Sequence, residues 1–175
     1  MKTTRTIVCT GLIFVLTLAT LLVGCGDKNQ SGSTVDEPKI TVEYLEGDYV
    51  KQLLRDGAEH VFGSIEVSKA KDGSVLVNIE AKEYVEDTEQ PNGFYIEDKN
   101  YSLSSVLAPE ARCTFISGDV SLPQIMTTEE FVEAYNKDIN EYGGKNNPDY
   151  QKHKLYDMYI MGDQIELILE RYIPY

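Results

Sequence analysis

Two stretches of the chain alternate apolar and polar side chains closely enough to specify their own pairing. Residues 64–70 and 74–85 flank Lys71-Asp72-Gly73. A two-residue Asp-Gly turn would set Val67 against Asn78 and Ile65 against Glu80, mixing apolar with polar residues on both faces. A three-residue loop sets Val67 against Val77 and Ile65 against Ile79, and leaves Ser68, Glu66 and Asn78 on the other face. Such a loop calls for glycine at its left-handed position, and Gly73 is there, so the three-residue loop is predicted. The second hairpin runs from Leu155 to Met161 and from Gln164 to Ile173 around Gly162-Asp163. Glycine first in a two-residue turn is the type II′ signature. The turn pairs Ile160 with Ile165, Met158 with Leu167 and Tyr156 with Leu169 on one apolar face, with Tyr159 against Glu166 and Leu155 against Glu170 on the other. Pro174 follows its end, where a strand tolerates proline.

Between the hairpins, shorter strands are predicted around 94–97, 101–107 and 112–117, with Asp98-Lys99-Asn100 and Ala108-Pro109-Glu110 as turns. The acidic stretch Glu86–Gly93 reads as a loop. The clearest helix starts after Thr127, which with Glu130 forms a capping-box pattern. Phe131, Ala134, Tyr135, Ile139 and Tyr142 then share one face, and Gly143-Gly144 ends the helix. A weaker helix begins at Asp48 and carries Tyr49, Leu53 and Leu54 to Asp56-Gly57. Together these elements predict an α+β fold: an antiparallel sheet of about five to seven strands built from hairpins, with two packed helices.

The N-terminus follows a different pattern. Lys2 and Arg5 precede seventeen uncharged residues, Ile7–Val23, of which thirteen are apolar. A membrane span needs about twenty predominantly apolar residues, and this shorter run, broken by Thr10, Gly11, Thr17 and Thr20, reads as a secretory h-region. It ends in Leu22-Val23-Gly24-Cys25. These residues resemble the lipobox of bacterial lipoprotein precursors. The resemblance implies lipidation of the Cys25 thiol with acyl chains such as palmitate, cleavage before Cys25, and anchoring on the extracytoplasmic side of the cell membrane. It implies a signal peptide over 1–24 and a lipidated Cys25; composition and length then predict a lipidated cysteine and flexible tether over 25–38 and a single globular domain over 39–175. The tether residues 26–38 are almost devoid of apolar side chains, and thirteen flexible residues span roughly 20 Å on average.

Charge and cysteines narrow the function. The chain has 29 acidic against 16 basic residues, net −13. Losing Lys2 and Arg5 leaves 14 basic residues and a mature charge of −15. Nucleic-acid binding is thereby excluded as a reading, because phosphate neutralisation needs clustered Lys and Arg. Of Cys9, Cys25 and Cys113, the first leaves with the signal and the second takes the lipid. Cys113 remains, in a β-prone run with no neighbouring base to activate it, and reads as a small buried hydrophobe.

Catalytic motifs are missing. The two histidines, His60 and His153, stand far apart in sequence, and there is no H-E-x-x-H, no paired cysteine, no G-x-S-x-G and no phosphate-binding glycine loop. Both histidines read as ordinary surface or edge residues. Asn136-x-Asp138-x-Asn140 imitates the start of a calcium loop, but Glu141 replaces its glycine and the residues lie on a helix, so no metal site is assigned. No catalytic residue and no cofactor is assigned either. The one local contrast is a polar, basic loop on an acidic domain, 145–154, with Lys145, Lys152, His153 and Lys154 as candidate partner-binding residues. The expectation is a lipid-anchored extracytoplasmic binding or interaction protein, an accessory, sensor or inhibitor-like module with an envelope protein as partner. The alternative is a small cell-envelope hydrolase using carboxylates, whose spacing no sequence reveals.

Overall fold

The computed structural model describes residues 40–117 and 122–173, so the lipobox and tether lie outside the described residues. The chain enters as a helical segment: α1 (Val42–Tyr44), a π-helical turn (Leu45–Tyr49) and α2 (Val50–Arg55). Then come β1 (Glu59–Lys69), β2 (Val75–Glu86), β3 (Phe94–Phe115), β4 (Gln124–Met126), α3 (Thr128–Tyr142), α4 (Tyr150–His153), β5 (Leu155–Met161) and β6 (Gln164–Arg171). The class is α+β, with six strands in one sheet ordered β2-β1-β5-β6-β3-β4.

That sheet closes on itself. The long β3 pairs with β2 through its first part and with β6 through its second, so β2, β1, β5, β6 and β3 form a ring. The β3–β6 pair is parallel, which makes the sheet mixed where alternation alone predicted an antiparallel one. The ring is thus five-stranded, with α3 and α4 inserted in the chain between β3 and β5. Architecture of this kind assigns no function.

The first hairpin has the predicted register, with Val67 opposite Val77 and Ile65 opposite Ile79, and Gly73 sits at φ 91°. The second begins as predicted, with Ile160 opposite Ile165 and Gly162 at φ 64°, but shifts at a bulge. Glu166 is the extra residue, so Met158 meets Ile168 and Tyr156 meets Glu170, in place of the predicted Leu167 and Leu169. The bulge has a packing consequence. Ile165 and Ile168 face the barrel interior with Val77, Ile79, Phe115 and Met158. Leu167 and Leu169 face outward with Tyr159, where Leu45 and Leu53 of the helical segment cover them. Both faces of β5–β6 are therefore buried, which accounts for the nearly unbroken apolar run in each strand.

The predicted turns at 98–100 and 108–110 do not reverse the chain. They are irregularities within the single strand β3. Between the pairs Glu80↔Ser102 and Lys82↔Asp98, three β3 residues oppose one on β2, and Asn100 takes φ 55°. A second irregularity separates Leu107 from Arg112 opposite β6. Turn-type residues bend a strand without reversing it when the flanks on both sides already have partners. The N-terminal helix also begins earlier than predicted: Thr41 accepts a hydrogen bond from Tyr44 N and caps it.

Helix α3 closes one end of the barrel. Thr127 and Glu130 form the predicted capping box, and Phe131 and Tyr135 are buried in the barrel core. The Tyr135 hydroxyl donates to Ile65 O at 2.7 Å, and Thr128 Oγ1 donates to Ala108 O at 2.8 Å.

Candidate ligand cleft

β2 and β3 continue past the barrel as a two-stranded ribbon. The β1–β2 register ends at Ala81, and beyond it 82–86 pair with 94–98. A bare hairpin is marginal in water, and side chains across this one reinforce it. Tyr84 and Phe94 stack at 4.8 Å, Lys82 pairs with Asp98, and Lys99 Nζ lies 3.1 Å from Glu83 Oε2. The Lys82 contact holds the Asp98 carboxyl below the usual carboxylate range. The acidic Glu86–Gly93 segment is the ribbon's tip: Asp87 N donates to Gly93 O, and Asp87 Oδ1 accepts from Glu89 N. Among the described residues, no group of three or more His, Cys, Asp or Glu side chains is placed to hold a metal ion.

Between the ribbon, the start of β1 and the end of β6 lies a surface cleft of about 770 Å³. Its polar centre is Asp157 on β5. One oxygen of that carboxylate lies 2.8 Å from His60 Nε2, and the other lies 2.9 Å from Arg171 Nε. The three residues come from β5, β1 and β6, and the sheet register brings them together: Phe62 opposes Asp157, and His60 opposes Tyr159. The His60 ring stacks on Tyr159 at 5.0 Å, which sets its orientation. Asp157 has only 11% of its side chain exposed, so a nearby cation is needed to balance its charge. Aromatic walls complete the cleft: Tyr84 from the ribbon, Tyr101 from the β3 irregularity at its base, and Tyr172 just beyond β6.

Deeper in, Glu170 shares the lining and belongs to a buried cluster. Lys154 Nζ lies 2.8 Å from Glu170 Oε1 and 3.3 Å from Asp138 Oδ2. Glu170 Oε2 accepts from Ile116 N, Asp138 Oδ2 accepts from the Tyr150 hydroxyl, and the ammonium sits 4.4 Å over the Phe115 ring. Burial raises the Glu170 carboxyl above its ordinary range, and the Lys154 ammonium opposes that shift.

The basic loop therefore divides. Lys154, predicted to present its charge to a partner, turns inward with a side chain 10% exposed and both its charge partners buried. The reason is position: it immediately precedes β5, where the chain enters the barrel. Lys152 and His153, on α4, line a second groove of about 480 Å³ against ribbon residues Tyr95, Ile96 and Asp98. Lys145 is exposed in the turn after α3. Cys113 lies inside the barrel with no exposure, and burial pushes its thiol up to about 12, which leaves it unreactive at neutral pH.

His60, Asp157 and Arg171 are the residues that sequence reasoning did not assemble. The two in closest contact lie 97 positions apart, so no short-range signal joins them. In chemical terms, a histidine held by a carboxylate can exchange protons. However, none of the described residues lining the cleft is a serine, threonine or cysteine that such a pair could activate. Compared with protein families, with curated proteins and with solved structures, the chain has no match in any of the three.

Proposed function

We propose that this chain is a lipid-anchored protein of the extracytoplasmic side of the membrane that acts by binding, with the cleft beside the ribbon as its ligand site. The anchor rests on Leu22-Val23-Gly24-Cys25 behind a charged n-region and a short apolar run. Among the described residues no helix is long and apolar enough to cross a membrane.

The observation that carries the binding function is the lining of the cleft: three exposed tyrosines face ion-paired side chains, with no serine, threonine or cysteine among the described lining residues. Concave sites of roughly 300–1,000 Å³ with a few convergent polar groups are the usual form of small-ligand sites. Lys145, Lys152 and His153 offer a separate surface for an envelope protein partner, and Lys154 does not take part in it. A hydrolase is the second reading, and one observation favours it: His60 with Asp157 is an acid–base couple at a cleft.

Two measurements test the proposal. Cys25→Ser should remove acylation seen by mass spectrometry and leave the precursor uncleaved, and acyl chains persisting on that variant would remove the anchor. Purified protein should not turn over peptidoglycan, peptide or ester substrates. Turnover abolished by Asp157→Asn would replace the binding function with hydrolysis.

A further inference from the structure

We propose that the cleft takes a neutral carbohydrate chain, whose sugar faces lie against Tyr84, Tyr101 and Tyr172; the proposal rests on the binding function above and names its ligand class.

Three observations carry it. The first is where the exposed aromatics are. Tyr84, Tyr101 and Tyr172 are 48%, 50% and 75% exposed, and they reach this one cleft from β2, β3 and the segment after β6. Grouped exposed apolar surface of this sort marks an interaction site. A tyrosine ring offers an apolar face for the C–H side of a sugar and a hydroxyl for its edge.

The second is the pairing of charge. Lys82 faces Asp98, Lys99 faces Glu83, Arg171 faces Asp157, and Lys154 faces Glu170. An anionic ligand would have to break one of these pairs and leave a carboxylate unmatched. A neutral polyol does not, because carboxylate oxygens have lone pairs to spare and a guanidinium has donors to spare while their ion pair stays intact.

The third is the spread of polar groups. Eight of the seventeen residues lining the cleft are Asp, Glu, Lys, Arg or His, which removes the continuous apolar floor that an acyl chain would need. The volume, about 770 Å³, suits a short run of sugar units.

The test uses the full chain in detergent, titrated with neutral oligosaccharides: tetramers of β-1,4-linked N-acetylglucosamine, of glucose in β-1,4 linkage and of glucose in α-1,4 linkage. Calorimetry is the readout. At least one tetramer should bind saturably, with an affinity that changes less than twofold between 0.05 and 0.5 M salt. Tyr101→Ala should weaken binding at least tenfold, Tyr101→Phe should retain it, and Tyr142→Ala, at the end of α3, should leave it unchanged. Circular dichroism of each variant separates lost binding from lost fold. Absence of binding by all three tetramers at millimolar concentration overturns the carbohydrate assignment. Salt-sensitive binding of an acidic or basic peptide that is lost with Tyr101→Ala overturns it too, while leaving the cleft a binding site. Hydrolysis of a tetramer abolished by Asp157→Asn overturns the binding function itself.

Discussion

At the scale of single residues, Lys154 shows how little a side chain's type says about its task. In sequence it is one of a group of cations on a polar loop. In the fold it is the shared counter-ion of Asp138 and Glu170, which are 4% and 8% exposed. Removing one member of a buried ion cluster leaves uncompensated charge behind. Lys154→Ala should therefore cost about 3–5 kcal/mol in urea unfolding. Lys152→Ala should cost less than about 0.5 kcal/mol, because Lys152 is 59% exposed and its ion pair is with the similarly exposed Asp149. Equal, small losses would mean that the two carboxylates are relieved by protons or water instead. The contrast between an acidic domain and a basic loop was legible in the sequence. Which lysine points inward was not, because that depends on where the chain enters the barrel.

At the scale of elements, the pairing of β1 with β2 depends on one glycine. A Cβ built on Gly63 would meet Glu80 O at 2.1 Å, and a backbone oxygen in a paired strand cannot step aside. Gly63→Ala should therefore destabilise the protein by about 3 kcal/mol or more, the upper end of the overpacking range. Gly47 makes the comparison: a Cβ there meets nothing within 4 Å, inside a helical segment. Gly47→Ala should be neutral or stabilising by up to about 1 kcal/mol. Thermal unfolding of both variants checks the pair, and a loss below about 1 kcal/mol for Gly63→Ala would show that the strands separate at that point. The first hairpin was readable to the residue because one face is apolar and a slip of one position would expose it. The second was readable only as far as Ile165, because a covered outer face rewards Leu167 and Leu169 as well as Ile168. Alternation cannot locate a bulge in a strand that is buried on both sides.

At the scale of the whole molecule, stability comes from two apolar clusters, one inside the barrel and one between its outer wall and the helical segment. Cys113 is a free thiol, so reducing agent should leave the melting temperature unchanged. Alkali should lower it. Burial raises the Cys113 thiol from 9.0 to about 12 and the Tyr159 phenol from 10.0 to about 12. An unfolded chain loses those protons first, so the folded state holds more protons between roughly pH 9 and 12, and stability falls as pH rises through that window. Below pH 9 both groups are protonated in both states and contribute no slope. Melting temperatures at pH 8, 10 and 11 should decline, and Cys113→Ala should flatten the decline. A constant melting temperature over that range would mean that both groups reach solvent.

The sequence by itself determined the class of the fold, the capped helix α3, the register of the first hairpin and the inert character of Cys113. Each of these is set by neighbours within a few turns or one loop, where side-chain periodicity and turn chemistry act directly. Tertiary structure alone decided that β3 is one strand, that it pairs in parallel with β6, and that the ring closes. It also decided that His60, Asp157 and Arg171 meet beside Tyr84, Tyr101 and Tyr172. The reason is the same in each case. These contacts join residues tens of positions apart, and only the closed barrel sets the distances between them.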